Sequence, residues 1–369
     1  MDTRNPYHPQ WRPPHCPNPN CYFHNHLNPS WRYKRHGYYH RQAIPNRIPR
    51  FLCLHCRRSF SCQTFSPDYW LKRPDILCKL MTKACGSMAN RQIARDLQVA
   101  PTTVDRQLNR LGRHCLLFFL THTADIPPPR DVTIDGLETF ELSQYHPFHF
   151  HTAVDNDSSF FWGFTDSPLR RKGRMTPWQR RRREQIEARW GRPDPQAVRK
   201  DMSELLEKLT RRAERMTIRS DEHRAYGPAI SRLRCSVHRV VVSSKERRDK
   251  GNPLWEVNLL DLLIRHSVGG HKRETLCWAK RRCAAALRLW VFLVWRNWVN
   301  RRWQKRCRQT PAMVAGTCDR TLTVSAVLNE RLFPTRVKGL DGRWLEYYRG
   351  EVETPAIGVN RRHGLRYAA

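Results

Sequence analysis

Three segments beyond residue 130 place an acid at or near an apolar run. Asp131-Val-Thr-Ile-Asp135-Gly136 alternates as a strand and closes on Asp135. Met216-Thr-Ile-Arg-Ser-Asp221 does the same at Asp221 and leads into a helix containing Tyr226. The third segment is a helix opened by Asn252-Pro253, and it carries Glu256, Asn258, Asp261 and Arg265. Hard cations such as Mg²⁺ prefer carboxylate oxygens. Acids from two strand ends and one helix can hold two such ions about 4 Å apart. There the ions activate a water or a 3′ hydroxyl and stabilise in-line displacement at phosphorus.

Helical geometry chooses among the acids of the third segment. At about 100° per residue, Asn258, Asp261 and Arg265 share one narrow face. Glu256 falls elsewhere, among Leu259, Leu260 and Leu263, and its place in the first turn suits the helix dipole. Asp261 is therefore assigned as the third acid, with Glu256 the runner-up. Glu274, in His271-Lys-Arg-Glu-Thr275, is a third candidate and better suited to pairing with nearby arginines. Each acid alone also reads as an ordinary turn former, so the weight rests on their order.

A second chemistry lies near the N-terminus. Cys16-Pro-Asn-Pro-Asn-Cys21 and Cys53-Leu-His-Cys56 form two short knuckles. Zinc takes four soft ligands in a tetrahedron, and two knuckles joined by a hairpin supply them. The hairpin is expected between Trp31 and Phe51, with Phe60 capping a small core. A module this small folds only with its metal. Cys62, His15, His24, His26 and His55 are competing donors nearby and are left out of the set.

These groups need elements to hold them. Residues 75–85 place Ile76, Leu80 and Ala84 on one helical face, and Gly86 ends that helix. Asn90 is expected to cap a second helix, with Ile93, Ala94 and Leu97 inward. Pro101 suits the first turn of a third, whose buried stripe is Val104, Leu108 and Leu111. Thr102, Thr103, Arg106, Gln107 and Arg110 then face outward, able to reach bases and phosphates in a major groove. A solvated three-helix bundle is the plainer alternative. The pattern onward is three strands, a charged helical stretch with Arg180-Arg181-Arg182-Arg183, a strand, a helix, a strand and further helices. That order predicts a mixed α/β core interrupted by a basic insertion. The expected divisions are 1–66 (zinc ribbon), 67–122 (helix-turn-helix), 130–310 (catalytic core, with the insertion at about 166–215) and 311–369 (tail).

The balance of 67 Lys+Arg against 33 Asp+Glu leaves a formal charge of +34, which suits a polyanion and above all a nucleic acid. The Arg170–Arg183 stretch would track phosphates, or form a solvated lid. His149 and His151 share one strand face and read as a polar sheet face rather than as metal ligands. Trp278, Trp290, Trp295, Trp298 and Trp303 read mainly as core, with one available to stack on an extruded base. Met1–Arg12 has no apolar leader core, and the apolar run 284–299 contains Arg288, Arg296 and Asn297. No membrane association is expected. Thirteen cysteines without a leader suggest a reducing compartment.

Together these residues resemble bacterial insertion-sequence transposases of the DDE, RNase H-like superfamily. The resemblance rests on the four cysteines, Arg91-Gln-Ile-Ala-Arg-Asp-Leu97 with Thr103-Val104, Ile134-Asp135-Gly136 and Ser220-Asp221-Glu-His-Arg-Ala-Tyr226. It continues through Asn252-Pro-Leu254, Val257-Asn-Leu-Leu-Asp261 and Lys272-Arg-Glu-Thr275. It implies an α/β multidomain protein whose ribbon and helix-turn-helix bind terminal inverted repeats of double-stranded DNA. It also implies an RNase H-like core that cuts and joins DNA with Mg²⁺ or Mn²⁺. Asp135 and Asp221 would be the first two acids. Asp261 echoes an Asn-x-x-Glu pattern but departs from it in being Asp. The resemblance further implies a homo-oligomer on paired DNA ends, in the bacterial cytoplasm on the nucleoid. A DNA-binding regulator or decayed transposase, and an RNase H-like nuclease, are the competing readings.

Overall fold

The computed structural model describes residues 5–272, 275–303, 305 and 307–359. Glu274, the third candidate for the last acid, lies outside the described residues.

The N-terminal part folds as a three-stranded antiparallel sheet in the order β1-β2-β3, with β1 at Tyr33–His40, β2 at Arg47–Cys53 and β3 at Ser59–Ser61. The β1–β2 hairpin carries Cys53 to the first knuckle. Behind it Trp11, Phe51, Phe60 and Phe65 make a small aromatic core, and Phe333 from the far end of the chain completes it.

Three helices follow: α1 (Leu77–Ala84), α2 (Asn90–Asp96) and α3 (Pro101–Thr123). Pro101 opens α3 at the position where its missing N–H costs nothing. Val104, Leu108 and Leu111 are buried, as their spacing requires. Asn90 does not cap α2. Ala89 holds that position, and the Gln92 side chain accepts the Ala89 N–H at 3.1 Å. Asn90 instead reaches out to Asp105 of α3 and to Arg288, tying three segments together.

A mixed five-stranded sheet forms the centre. Its strands are β4 (Asp131–Phe140), β5 (Pro147–Asp155), β6 (Phe161–Pro168), β7 (Arg215–Ser220) and β8 (Ser236–Val241), in the order β6-β5-β4-β7-β8. Neighbours β4, β5 and β6 run antiparallel, whereas β4, β7 and β8 run parallel. The charged insertion between β6 and β7 is two helices, α4 (Pro177–Trp190) and α5 (Ala197–Thr210). Helix α5 buries Met202, Leu205, Leu206 and Leu209 in the main core, whereas α4 buries nothing.

After α6 (Tyr226–Ile230) and β8 come α7 (Trp255–Ser267) and α8 (Arg282–Val294), the latter prolonged by a π turn at Trp295–Val299. Helix α8 is apolar on almost every side because it lies inside the protein, packed on α3. Gly112 of α3 makes that crossing possible, since a Cβ there would stand 2.3 Å from the Leu287 carbonyl oxygen. Trp290 and Trp298 are fully buried, and Trp278, Trp295 and Trp303 are half-buried. None of these five rings is exposed as a stacking platform. Residues 311–359, expected only as a tail, rejoin both cores: Phe333 enters the N-terminal aromatic core, and α9 (Gly342–Arg349) seats Trp344 and Tyr347 against the sheet side. Among the described residues no helix is long and apolar enough to cross a membrane.

Candidate acidic centre and cysteine cluster

The parallel pairing of β4 with β7 brings the first two acids together. Asp131 pairs with Thr217 and Thr133 with Arg219. The same offset two residues on sets Asp135 beside Asp221, which directly follows β7. Asp135 is not at a strand end, because β4 continues to Phe140 and Gly136 pairs with His151 of β5. Gly136 serves as a gap rather than a turn: a Cβ there would stand 2.9 Å from His149 Nδ1.

The electrostatics link the three acids. Burial pushes the Asp135 carboxyl up; the Gly136 amide, donating to its Oδ1 at 2.7 Å, opposes this, and the charge of Asp221 adds to the rise. Asp261 is pushed up to about 8 by burial and then by the charge of Asp135, against the pull of Arg265 and Arg248. Its Oδ1 is buried without a hydrogen-bond partner. Tyr226 is raised by burial first and then by Asp135, Asp221 and Asp261. One buried phenol therefore feels all three acids. Asp221 accepts the His223 amide at 2.9 Å through Oδ1.

Glu256 has different neighbours. Its Oε1 lies 4.0 Å from Arg302 Nη2, and its charge acts on Arg296. Its Oε2 is also buried without a partner, yet it faces cations, whereas Asp261 faces another acid. A repelling set of half-buried carboxylates, one with a buried unpartnered oxygen, is chemically suited to divalent cations. The carboxylates share a field without touching. Among the described residues, only the four cysteines bring three or more candidate ligand atoms within 4.8 Å of one another.

That cysteine group is Cys16, Cys21, Cys53 and Cys56, as the knuckle spacing predicts. Cys16 Sγ and Cys56 Sγ are 3.6 Å apart, and Trp31 Nε1 donates to Cys53 Sγ at 3.3 Å. Burial pushes the Cys16 and Cys21 thiols up, with the Asn18 and Phe23 amides opposing it, whereas at Cys53 burial is outweighed by Trp31 and the Cys56 and His55 amides, which bring it down to about 7. Such N–H···S bonds stabilise thiolates, the form that binds metal. His15 and His24 turn away from the sulfurs: each ring Nδ1 lies against the Cys16 carbonyl, at 3.0 and 2.8 Å. A zinc ion fits four soft donors so arranged.

The residues expected to face DNA divide. Thr102 and Arg106 are exposed on α3, and Thr103 and Gln107 are half-buried. Arg110 is turned inward, with Nε donating to the Pro67 carbonyl at 2.9 Å. The helical pattern put it outward because the covering chain comes from before α1, which periodicity does not register. On α4, Arg180, Arg181 and Arg182 are exposed. Arg183 is half-buried and committed, with Nη1 donating to the Arg171 carbonyl at 3.3 Å and Nε lying 3.4 Å from Glu187.

His149 is half-buried with Nε2 3.6 Å from Glu138, as a polar sheet face would have it, but His151 on the same face is covered. His151 is fully buried, with Nε2 2.7 Å from Ser167 Oγ, and burial holds it well below the usual histidine range. The covering element is α5, whose Asp201 accepts from Ser167 at 2.6 Å. Arg248, whose charge reaches Asp135 and Asp261, had no signal in the sequence, and Tyr226 was placed after Asp221 without a role at the acids. For Arg265 a signal existed, since it shares the helical face of Asp261.

Compared with known protein families and with curated proteins, the chain matches none. Among solved structures it is similar to a chain of the simian T-cell lymphotropic virus intasome in complex with the PP2A regulatory subunit B56 gamma. The identity is 17%, the TM-score 0.24, and the match covers 65% of this chain and 72% of that one.

Proposed function

We propose that the protein is a DNA transposase of the DDE type, in which a zinc ribbon and helix-turn-helix deliver element ends to a metal-dependent cutting and joining centre. The observation that carries this reading is the parallel β4–β7 register, which sets Asp135 beside Asp221, with Asp261 of α7 near enough to feel the charge of Asp135. Two of these acids come from neighbouring parallel strands and one from α7, all set in a strongly basic chain. Asp135, Asp221 and Asp261 would hold the cations, which supply charge stabilisation at the reacting phosphorus and an activated oxygen nucleophile. The chain's own part is positioning. Rigid β4 and β7 fix the first two carboxylates, and Arg265 and Arg248 moderate the repulsion at the third. The exposed Thr102, Arg106, Arg180, Arg181 and Arg182 are available to DNA.

The test is strand transfer with Mg²⁺ on DNA carrying the terminal repeats, using Asp135→Ala and Asp221→Ala. Joining should vanish while end binding persists. Continued joining by either variant contradicts the reading. Cleavage without any joining by the wild type would identify a nuclease instead.

A further inference from the structure

Trp70 stands between the N-terminal three-stranded sheet and α1 with 71% of its surface exposed. Its backbone is held at φ +62°, a left-handed conformation that a bulky residue adopts only where its surroundings impose it. A lone exposed ring needs no explanation, but this one does not stand alone. With Tyr39, Phe60 and Tyr69 it lines a cavity of 530 Å³, inside the range of about 300–1,000 Å³ usual for ligand sites. The Tyr69 ring lies 6.0 Å from that of Trp70 and nearly perpendicular to it, so the indole face stays uncovered by its neighbour.

The same cavity is basic. Arg41, Arg50 and Lys72 line it, and no carboxylate does. Arg41 is neutralised by Asp68 at 3.3 Å, and its Nε donates to the Pro45 carbonyl at 2.8 Å. Arg50 and Lys72 make no ion pair or side-chain hydrogen bond among the described residues. Gln63 is committed, since it accepts from the Tyr39 hydroxyl and donates to the Asp68 carbonyl at 3.4 Å. Ser59, exposed on β3, is the hydroxyl left for a ligand's polar edge.

Uncommitted cations beside an open ring face supply both halves of nucleotide recognition, phosphate by charge and base by stacking. A base inside a duplex has its faces sealed by its neighbours, so the base that stacks here must be unpaired. An acidic peptide would satisfy the cations but offer the indole no flat partner. We infer that this cavity binds an unpaired nucleotide of a nucleic-acid strand, with its base on Trp70 and its phosphates on Arg50 and Lys72. DNA and RNA present the same base and phosphate chemistry to it. No residue of the acidic centre contributes, so the inference holds whether or not those acids cut DNA.

The test measures binding of labelled oligothymidine of about 12 nucleotides to the full chain at roughly 0.2 M salt, where charge alone holds weakly. Trp70→Ala should weaken binding about 5–150-fold, the range for losing one stacked base. W70F keeps a ring and should keep most of the affinity, and W70A should bind duplex DNA as the wild type does. Arg50→Gln should lower the single-strand slope of log K against log salt by about 0.7. With iodouracil in the oligonucleotide, ultraviolet crosslinking should fall on the peptide that carries Trp70. Oligouridine in a parallel titration distinguishes the sources: tighter oligothymidine assigns DNA, and tighter oligouridine assigns RNA. Equal single-strand affinity in W70A and the wild type overturns the inference. So does an equal loss on duplex and single strand, or a polyglutamate peptide that competes as well as oligothymidine.

Discussion

Asp261 is the residue at which burial and function pull hardest against each other. Its folded value of about 8 lies well above the ordinary carboxyl range, so the fold favours the protonated form. The stability this gives is complete below the unfolded pKa and is lost as pH rises from about 4 to about 8. Asp261→Asn, which stays neutral, should therefore melt higher than wild type near about pH 9 without divalent ions, with the gap closing near about pH 5. A gap that does not change with pH would contradict this. Added Mn²⁺ should stabilise the wild type more as pH rises through the same window, because the proton must leave first. Helix geometry set Glu256 and Asp261 on different faces, and their neighbours differ: Arg302 and Arg296 for Glu256, and Asp135 with Arg265 and Arg248 for Asp261. It failed for Arg110, because a wheel shows which face is apolar and not which distant loop will cover a polar residue.

At the scale of elements, strands over 131–135, 216–220 and 237–242 were legible from alternation, and α3 and α8 from period and burial. Partners were not legible. Helix α3 reads as an amphipathic helix and α8 as an apolar one, and neither pattern names the other. Their close approach rests on Gly112, whose absent side chain leaves no hydrophobic signal. Gly112→Ala would drive a Cβ into the Leu287 carbonyl and should cost about 1–3 kcal/mol in urea unfolding. A change below about 0.5 kcal/mol would show that the crossing relaxes freely. The four-cysteine module was legible because cysteine spacing is a covalent-scale signal, independent of packing. Its core holds few apolar side chains beyond Trp11, Phe51, Phe60, Phe65 and Phe333. Chelation, or Cys53→Ser, should remove one bound zinc per chain and the protection of the β1–β2 amides from hydrogen exchange. Unchanged protection after zinc loss would contradict the stapling role.

For the whole molecule, a charge of +34 makes salt the controlling variable in any encounter with DNA. Helix α4 keeps Arg180, Arg181 and Arg182 in solvent and leaves its ties to the rest of the chain to Arg183 and Glu187. Replacing these three by Gln should leave Tm nearly unchanged. If each contacts a phosphate, it should lower the salt slope of duplex binding by roughly 2.7. An unchanged slope would make α4 a solvated arm. The return of residues 311–359 through both cores had no sequence signal, since that segment carries only short, scattered apolar runs.

The central claim is that Asp135, Asp221 and Asp261 act as one metal-holding set. Its most direct test is Mn²⁺-dependent joining of terminal-repeat DNA by the wild type, Asp261→Asn and Glu256→Gln, each at saturating end binding. The account predicts that D261N loses joining by at least about a hundredfold while E256Q keeps most of it. Loss in E256Q with joining intact in D261N would contradict it.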